Sequence, residues 1–343
     1  MTGRRAAAAL GLGALALAGA VALSCALGAQ PLSLRAALGG VEPDRSILLG
    51  LRLPRAALGA VVGVALAAAG TALQALLRNP LAEPFVLGVS GGAALGGALV
   101  LLAASLAGRV WEPLAAALGG ASPVTAGSVA GAAGATVLVF ALGRVGGRLL
   151  PEAALLVGVI FNAFAAALIS VLKVLVPPEQ AARLLYWLMG ALGYESPGTL
   201  AASAAVVGAA LAALVLLSSR LNLLALGDEE AASLGVEVGR VRAAVLVAAS
   251  AATGAAVALA GMVGFVGLIV PHAVRRLLGP DHRLLVPASA LLGGAFLVLA
   301  DAAARVAFLP LGSEPPVGAL TALAGGPLFL WLLRREGRRG EVA

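Results

Sequence analysis

The sequence predicts an all-α, polytopic membrane protein of about ten transmembrane helices, because of its composition and its recurring apolar stretches. Hydrophobic residues make up 61% of the 343 positions and charged residues 11%, whereas soluble domains average roughly 45 to 50% apolar and about 25% charged residues. Apolar stretches of about 20 residues recur from end to end, and each can cross a bilayer as a helix that satisfies its own backbone hydrogen bonds. Residues 1–343 are therefore interpreted as a single transmembrane domain.

The first predicted span covers residues 6–29 and follows the basic pair Arg4 and Arg5. This start resembles a signal peptide, but its apolar run is longer than the roughly 7 to 15 residues of a typical signal-peptide core. We therefore expect a retained first helix, with cleavage as the alternative.

Polar residues separate the apolar stretches and define the other nine spans. The eighth, 262–271, is shorter than a full crossing and contains Gly264 and Gly267, so we expect neighbouring protein to shield it from lipid. Glycines four positions apart, such as Gly59 and Gly63, predict close contacts between helices. The remaining predicted spans are 56–77, 85–106, 122–142, 150–172, 197–217, 243–260, 284–304 and 317–334.

The arginines predict the orientation of the chain, because cytoplasmic loops of membrane proteins are enriched in basic residues. With the N-terminus inside, the inner loops carry 15 of the 23 basic residues, and both termini are expected in the cytoplasm. These inner residues are Arg4, Arg5, Arg78, Arg144, Arg148, Arg220, Arg240, Arg242, Arg275, Arg276, Arg283, Arg334, Arg335, Arg338 and Arg339.

Several classes of function are disfavoured. The net charge is +7, but aromatic residues are only 4% and the arginines stand singly or in pairs between apolar runs, which argues against nucleic-acid binding. Lys173 is the only lysine and does not follow a glycine, so the sequence lacks the GxxxxGK(S/T) loop that binds nucleotide. The spans contain few acidic residues or histidines, so few side chains are available to form a proton relay. An ion-coupled secondary transporter that acts without an ATPase is kept as the alternative to an ATP-driven one.

The longest polar stretch, about residues 218–242, contains a predicted short helix that Gly227 and Gly235 bracket. Three acidic residues, beginning at Asp228, open this helix, where negative charge complements the positive end of the helix dipole. A helix of about two turns does not persist alone in water. The stretch is therefore either a solvated connector or a docking element for a cytosolic partner.

Two further features could carry function. Residues 74–96 join the second and third spans through a non-helical turn fixed by prolines, in which Asn79 either closes a constriction or belongs to an ordinary tight turn. Arg52, Arg55 and Arg305 stand at the predicted outer ends of spans two and nine. Isolated surface charges contribute little to stability, but these three become useful if an acidic soluble partner must be steered and oriented.

Short segments along nearly the whole chain are specific as an ordered set, although each is weak alone. The segments are RLPR at 52–55, QALLRNPLAEP at 74–84, LGVSGGA at 87–93, LLVGVIFNA at 155–163, YWLMGAL at 186–192, LLALGDEEAASLGV at 223–236, GMVGFVGLIVPHAVRRLLGPDHR at 261–283, and LADAAARV followed by PVGALTALAGGPLFLWLL. Together they resemble the permease family of ATP-binding-cassette (ABC) importers for iron-siderophores, haem and cobalamin, the FecCD-like or vitamin B12 type.

The resemblance implies a type II ABC importer permease fold in a bacterial or archaeal cytoplasmic (inner) membrane, with a homodimer enclosing one translocation path. It also implies two cytosolic ATPase subunits and a periplasmic or surface-tethered substrate-binding protein. ATP and Mg are then expected on the ATPase subunits, and no cofactor, metal site or catalytic residue is expected on this chain. The implied cargo is an iron chelate, such as a siderophore or haem, or cobalamin.

The resemblance also implies roles for individual residues. Asn79 and Leu81 match an inner gate, while Arg52, Arg55 and Arg305 match positions that meet acidic residues of the binding protein. The implied ATPase-coupling residues are Leu226, Gly227, Glu230, Ala231, Leu234 and Gly235.

The sequence departs from the family pattern in two places. The family's second gating stretch, near residues 144–152, does not align. The usual ELP sequence is EPP here, within LGSEPPVG at 311–318, so Pro315 is expected to alter the shape of the outer loop.

Overall fold

The computed structural model describes residues 3–28, 32–107, 123–145, 148–149, 151–307 and 314–340. The regular structure of these residues is helical apart from the two-residue strands β1 (Arg144–Val145) and β2 (Arg148–Leu149), which pair antiparallel, so the all-α prediction is confirmed. A π-helical turn, Leu48–Arg52, leads into α4. The helices are α1 (Gly3–Ala26), α2 (Leu34–Leu38), α3 (Asp44–Ile47), α4 (Leu53–Leu76), α5 (Val89–Ala107), α6 (Pro123–Leu142), α7 (Pro151–Leu175), α8 (Pro178–Leu188), α9 (Pro197–Leu224), α10 (Asp228–Ser233), α11 (Val238–Ala260), α12 (Val266–Leu278), α13 (His282–Ala307) and α14 (Val317–Gly340).

Seven helical stretches of the described chain are long and apolar enough to cross a membrane. Two shorter apolar helices, Val89–Ala104 and Val317–Leu330, and the 13-residue α12 occupy the other predicted spans. Each predicted span thus contains a helix, while ten crossings and their orientation stay predictions. The seven stretches are Arg4–Ala26, Asp44–Leu76, Pro123–Leu142, Ala153–Leu175, Pro197–Leu224, Val238–Ala260 and His282–Val306.

The short helix α12 differs from the predicted eighth span. It covers Val266–Leu278 rather than 262–271, because the backbone takes positive φ angles at Gly261 (+66°) and Phe265 (+68°). These angles end α11 and delay the next helix, since helical residues need negative φ. The buried side of α12 packs against α4 and α13, so neighbouring helices cover this short element.

The helices α4 and α11 form the centre of the bundle. Most residues of α4 beyond Ala56 are buried, and the helix packs against α9, α11, α12 and α13. The peripheral helices α1, α7 and α9 expose apolar side chains such as Leu15, Ile160 and Leu216. Apolar side chains on the outside suit contact with lipid or with another membrane subunit.

Glycines let neighbouring helices approach closely. A Cβ added to Gly63 of α4 would lie 2.2 Å from the carbonyl oxygen of Gly293 in α13. Helices α5 and α6 meet in the same way, because a Cβ on Gly96 would lie 2.1 Å from the carbonyl oxygen of Gly127. The predicted packing role of Gly63 is confirmed.

Candidate functional site

The predicted site residues lie towards the two ends of α4, which has 24 residues and therefore a length of about 36 Å. Arg52 and Arg55 lie at its first turn, and Arg78 and Asn79 follow its last turn. We name these the outer end and the inner end, after the predicted orientation.

Asn79 shapes the start of the gate loop, which we define as residues 79–88. Its side-chain Oδ1 accepts a hydrogen bond from the backbone N–H of Leu81 at 2.9 Å, and its own N–H donates to the carbonyl of Gln74 at 3.1 Å. Asparagine commonly closes turns through such local bonds. The structure therefore brings Asn79 and Leu81 together in one turn, and their gating role stays a prediction.

The gate loop borders a mostly apolar cavity of about 340 Å³. The cavity lies between this loop, the break that precedes α12, and α14. Leu81, Phe85, Met262 and Phe329 contribute apolar wall, and Glu83 contributes a carboxyl group.

Glu83 links the gate loop to the start of α12. The residue is 7% exposed, and its carboxylate accepts a hydrogen bond from the backbone N–H of Phe265. Burial raises the pKa of Glu83 to about 7, although the bond from Phe265 acts in the opposite direction. Sequence reasoning missed this residue; the available signal was one acidic residue inside the apolar stretch LAEPF.

Helix α7 holds the middle of the gate loop. The Asn162 side-chain Nδ2 donates to the carbonyl of Phe85 at 2.5 Å. Close contact supports this bond, because a Cβ on Gly88 would lie 3.1 Å from the carbonyl oxygen of Gly158 in α7. Asn162 belongs to the quoted segment LLVGVIFNA, and its contact with the loop was not predicted.

The predicted coupling residues divide into an outward and an inward set around α10. Leu226 and Leu234 are 64% and 60% exposed, and Glu230 and Gly235 are exposed beside them. Gly227 and Ala231 are buried, so they position the helix rather than present a surface. Four of the six predicted residues are thus accessible to a partner, and the docking role itself stays a prediction.

Asp228, the first residue of α10, points towards two arginines from other elements. Its Oδ1 accepts hydrogen bonds from Arg78 Nη2 and, at 2.8 Å, from Arg242 Nη2 in α11. Arg78 also donates from Nε to the carbonyl of Leu224 at 3.1 Å. Sequence reasoning assigned the charge of Asp228 to the helix dipole and missed its bridging position.

The end of α9 is also fastened to the start of α13. Asn222 accepts a hydrogen bond from the backbone N–H of His282 at 2.8 Å and donates to Asp281 Oδ1 at 2.7 Å. The bond from Asn222 is the main cause that lowers the pKa of Asp281. The C-terminal turn of α9 therefore has a fixed position in the bundle.

At the outer end, Asp301 of α13 lies between two of the predicted docking arginines. Arg55 Nη2 donates to Asp301 Oδ1 at 2.9 Å, and Arg305 Nε donates to Asp301 Oδ2 at 3.0 Å. Arg55 also donates to Glu314 at 2.8 Å. The Asp301 side chain is only 3% exposed, whereas that of Arg55 is 26% exposed.

Arg52 and Arg305 bind the C-terminal turn of α1. Arg52 Nη1 donates to the carbonyls of Cys25 and Ala26 at 2.8 and 3.1 Å. Arg305 donates to the Ser24 hydroxyl at 2.6 Å and to the carbonyl of Leu27 at 3.1 Å. Carbonyls at a helix C-terminus lack partners within the helix and attract cations. Both arginines are largely buried, so Arg55 is the most accessible of the three predicted docking residues.

Two sequence features fall partly outside the described residues. Residues 146, 147 and 150 of the unaligned stretch 144–152 are outside, as are residues 311–313 of the EPP region. Pro315 lies in the non-helical segment before α14. Among the described residues, no group of three or more His, Cys, Asp or Glu side chains could hold a metal ion.

Comparison with known proteins places these features in context. A model of the FecCD transport family matches residues 14–335. The cobalamin import system permease protein BtuC of Halobacterium salinarum is 42% identical over 301 residues, which cover 87% of this chain and 77% of that protein. The hemin transport system permease protein HmuU of Yersinia pestis is 40% identical over 322 residues, 92% of this chain and 93% of that protein.

A solved structure extends the similarity to the fold. It is described as an inward-facing conformation of an ABC transporter of metal-chelate type. The two chains share 29% sequence identity, and they superimpose with a TM-score of 0.80 over 95% of this chain and 98% of the other.

Proposed function

The chain belongs to the FecCD transport family, and from this membership we infer that it is the transmembrane permease subunit of an ABC importer. The family match over residues 14–335 carries this conclusion, because it includes nearly every helix described above. The similar proteins are named as permeases for cobalamin and hemin. The cargo proposed here is therefore cobalamin or an iron chelate, either a siderophore complex or haem, moved into the cytoplasm.

We propose that the chain crosses the cytoplasmic (inner) membrane of a bacterium or archaeon ten times, with the type II importer fold and both termini inside. The helix found in each predicted span supports ten crossings. Retention of α1 belongs to this proposal, since Arg52 and Arg305 bind its last turn. The bias of arginines towards one set of loops supports the orientation.

The working unit is proposed to be a homodimer that encloses a single translocation path. Helix α7 offers a surface for this arrangement, because it exposes a row of large apolar side chains although its other side packs on α5 and α6. An exposed apolar row of this kind suits either lipid or a second copy. The exposed residues of α7 are Leu156, Val159, Ile160, Phe164, Leu168, Val171, Val174 and Leu175.

Two ATPase subunits are proposed to supply the energy from the cytosol. This sequence has no GxxxxGK(S/T) loop, so ATP and Mg are assigned to the ATPase, and this chain is not assigned a cofactor of its own. The accessible residues Leu226, Glu230, Leu234 and Gly235 would form its docking surface. A substrate-binding protein, soluble in the periplasm or tethered to the membrane, would deliver cargo at the outer end near Arg55.

The mechanism that follows is alternating access. ATP-driven closure of the ATPase pair would move α10, and the movement would pass through the bundle to the gate loop with Asn79 and Leu81. The path would then open to one side of the membrane at a time. This chain performs no covalent chemistry in the scheme, since it supplies only binding surfaces and moving walls.

Uptake into proteoliposomes tests the function. The chain is reconstituted with its candidate ATPase and substrate-binding protein, and uptake of labelled cobalamin, haemin and a ferric hydroxamate is measured. ATP-dependent accumulation of at least one compound, absent without the ATPase, is expected. Accumulation by the chain alone under a proton or sodium gradient would instead identify an ion-coupled secondary transporter.

A further inference from the structure

The side chain of the residue just before the gate loop contacts the proposed docking helix. Arg78 precedes the gate residue Asn79, and its guanidinium contacts both Asp228 and the carbonyl of Leu224. Building on the proposed function, we propose that the Arg78–Asp228 ion pair transmits movement of the ATPase-docking segment to the gate loop. Arg78 is thus a positioning residue for transport, acting through Asn79 rather than on the cargo.

The two contacts of Arg78 enclose the turn that holds Leu226. Leu224 is the last residue of α9 and Asp228 is the first residue of α10, so Arg78 holds both sides of residues 225–227. Leu226 is highly exposed within this turn. A force applied to Leu226 by a docked partner therefore acts on a turn whose two flanking residues are both bound by Arg78.

The gate loop can respond to movement of Arg78 because the hydrogen bonds that shape the loop begin at the next residue, Asn79. Asn79 closes its turn onto Leu81, which lines the cavity beside Glu83. Glu83 then bonds to the start of α12. Displacement of Arg78 would therefore be passed to Leu81 and to the break before α12 through short, directly bonded steps.

The backbone conformation at residue 78 allows the role of the Arg78 side chain to be tested by substitution with glycine. Its φ angle is +48°, in the left-handed region where glycine is comfortable and other residues are uncommon. A glycine at this position would suit the backbone and would lack both side-chain contacts. Arg78→Gly therefore removes the link without forcing the loop out of shape.

Arg242 also binds Asp228, so a role of Arg78 in transmitting movement can be tested without loss of the support that holds α10 in place. It holds Asp228 at 2.8 Å from the α11 side, with a side chain that is 9% exposed. Asp228 therefore keeps a partner when Arg78 is replaced, and α10 stays in place. The Arg78 and Asp228 side chains are 41% and 27% exposed, and ion pairs this accessible contribute little to folding stability.

The experiment follows the gate loop with a cysteine probe in the full complex. In a Cys25→Ala background, Leu81→Cys reports accessibility through its rate of labelling by a maleimide in nanodiscs that contain the ATPase. The labelling rate is compared with and without ATP plus vanadate. Arg78→Gly, Arg78→Gln and Asp228→Asn are the test variants, and Arg240→Gln is the matched control, since Arg240 is exposed and pairs only with its neighbour Glu237 among the ion pairs described.

The proposal expects a nucleotide-dependent labelling rate in the parent and the control, and the same rate with and without nucleotide in the three test variants. All variants should still co-purify with the ATPase and hydrolyse ATP, so the amount of substrate moved per ATP should fall. Arg78→Lys, which keeps the ion pair, should restore part of the response. The double variant Arg78→Gly/Asp228→Asn should show no further loss of the nucleotide response, since each single variant already removes the Arg78–Asp228 ion pair.

Two results would overturn the proposal. A full nucleotide response in Arg78→Gly would show that movement reaches Leu81 by another route. Loss of ATPase binding in the test variants would show that the pair belongs to the docking surface instead. Failure of the proposed function would look different, because the parent chain itself would then neither bind the ATPase nor respond to nucleotide.

Discussion

The guanidinium of Arg55 and the carboxylate of Asp301 face each other at the outer end, with Nη2 2.9 Å from Oδ1 and Nε 3.1 Å from Oδ2. This double contact joins α4 to α13 across 246 positions of sequence. Asp301 also accepts from Arg305 at 3.0 Å. One buried carboxylate thus balances the charges of two arginines. One of them, Arg305, also binds the end of α1.

Asp301→Asn is expected to lower the free energy of unfolding by about 3 kcal/mol or more, because it leaves the buried Arg305 charge uncompensated. Thermal unfolding of the purified chain in detergent measures the loss. Glu314→Gln is the matched control, since its side chain is 47% exposed and its pair with Arg55 contributes less than about 1 kcal/mol. Equal unfolding temperatures for Asp301→Asn and wild type would contradict the buried network.

Sequence reasoning located the helices better than the contacts of charged residues. The span predicted at 56–77 agrees with α4 (Leu53–Leu76) because apolar length alone is a strong signal. The start of α12 was misplaced because it depends on the positive φ of Phe265. No local sequence pattern predicts this backbone angle.

The same limit applies to the outer arginines. The resemblance assigns Arg52 and Arg305 to a docking surface, yet their guanidinium groups bind carbonyls at or just after the end of α1, which are 27 and 278 positions away in sequence. A pattern of residue types does not reveal which distant backbone groups need a donor. The turn at Asn79 was easier to predict from the sequence, since the hydrogen bond between Asn79 and Leu81 is local.

Arg55→Gln should weaken capture of the substrate-binding protein, with the larger loss at low salt because screening weakens long-range attraction. Arg52→Gln should instead lower stability, since the largely buried Arg52 guanidinium binds the carbonyls of Cys25 and Ala26 at the end of α1. Binding of the purified protein to the permease in nanodiscs, measured at low and high salt, separates the two effects. Unchanged affinity of Arg55→Gln at low salt would count against docking through Arg55.

Leu234→Arg should abolish co-purification with the ATPase while leaving the unfolding temperature unchanged, because Leu234 is 60% exposed. Ala231→Arg in α10 should unfold the segment, since Ala231 is fully buried and an unpaired charge cannot be accommodated there. Affinity purification and a thermal scan of both variants distinguish surface from support. Normal ATPase binding by Leu234→Arg would remove α10 from the docking surface.

Glu83→Gln tests the buried carboxyl group that links the gate loop to α12. The pKa of Glu83 in the folded protein is about 7, above its usual value of 4.5, so the folded state holds this proton more tightly than the unfolded chain. The resulting stabilisation is full below about pH 4.5, is lost as the pH rises through about 7, and amounts to at most about 3 kcal/mol. Glutamine cannot ionise, so the free energy of unfolding of the variant relative to wild type should rise between about pH 5 and about pH 8. Thermal unfolding of both proteins at the two pH values measures this change, because other titrating groups cancel in the comparison. A relative stability that is independent of pH would mean that the Glu83 carboxyl group is as well solvated in the folded protein as in the unfolded chain.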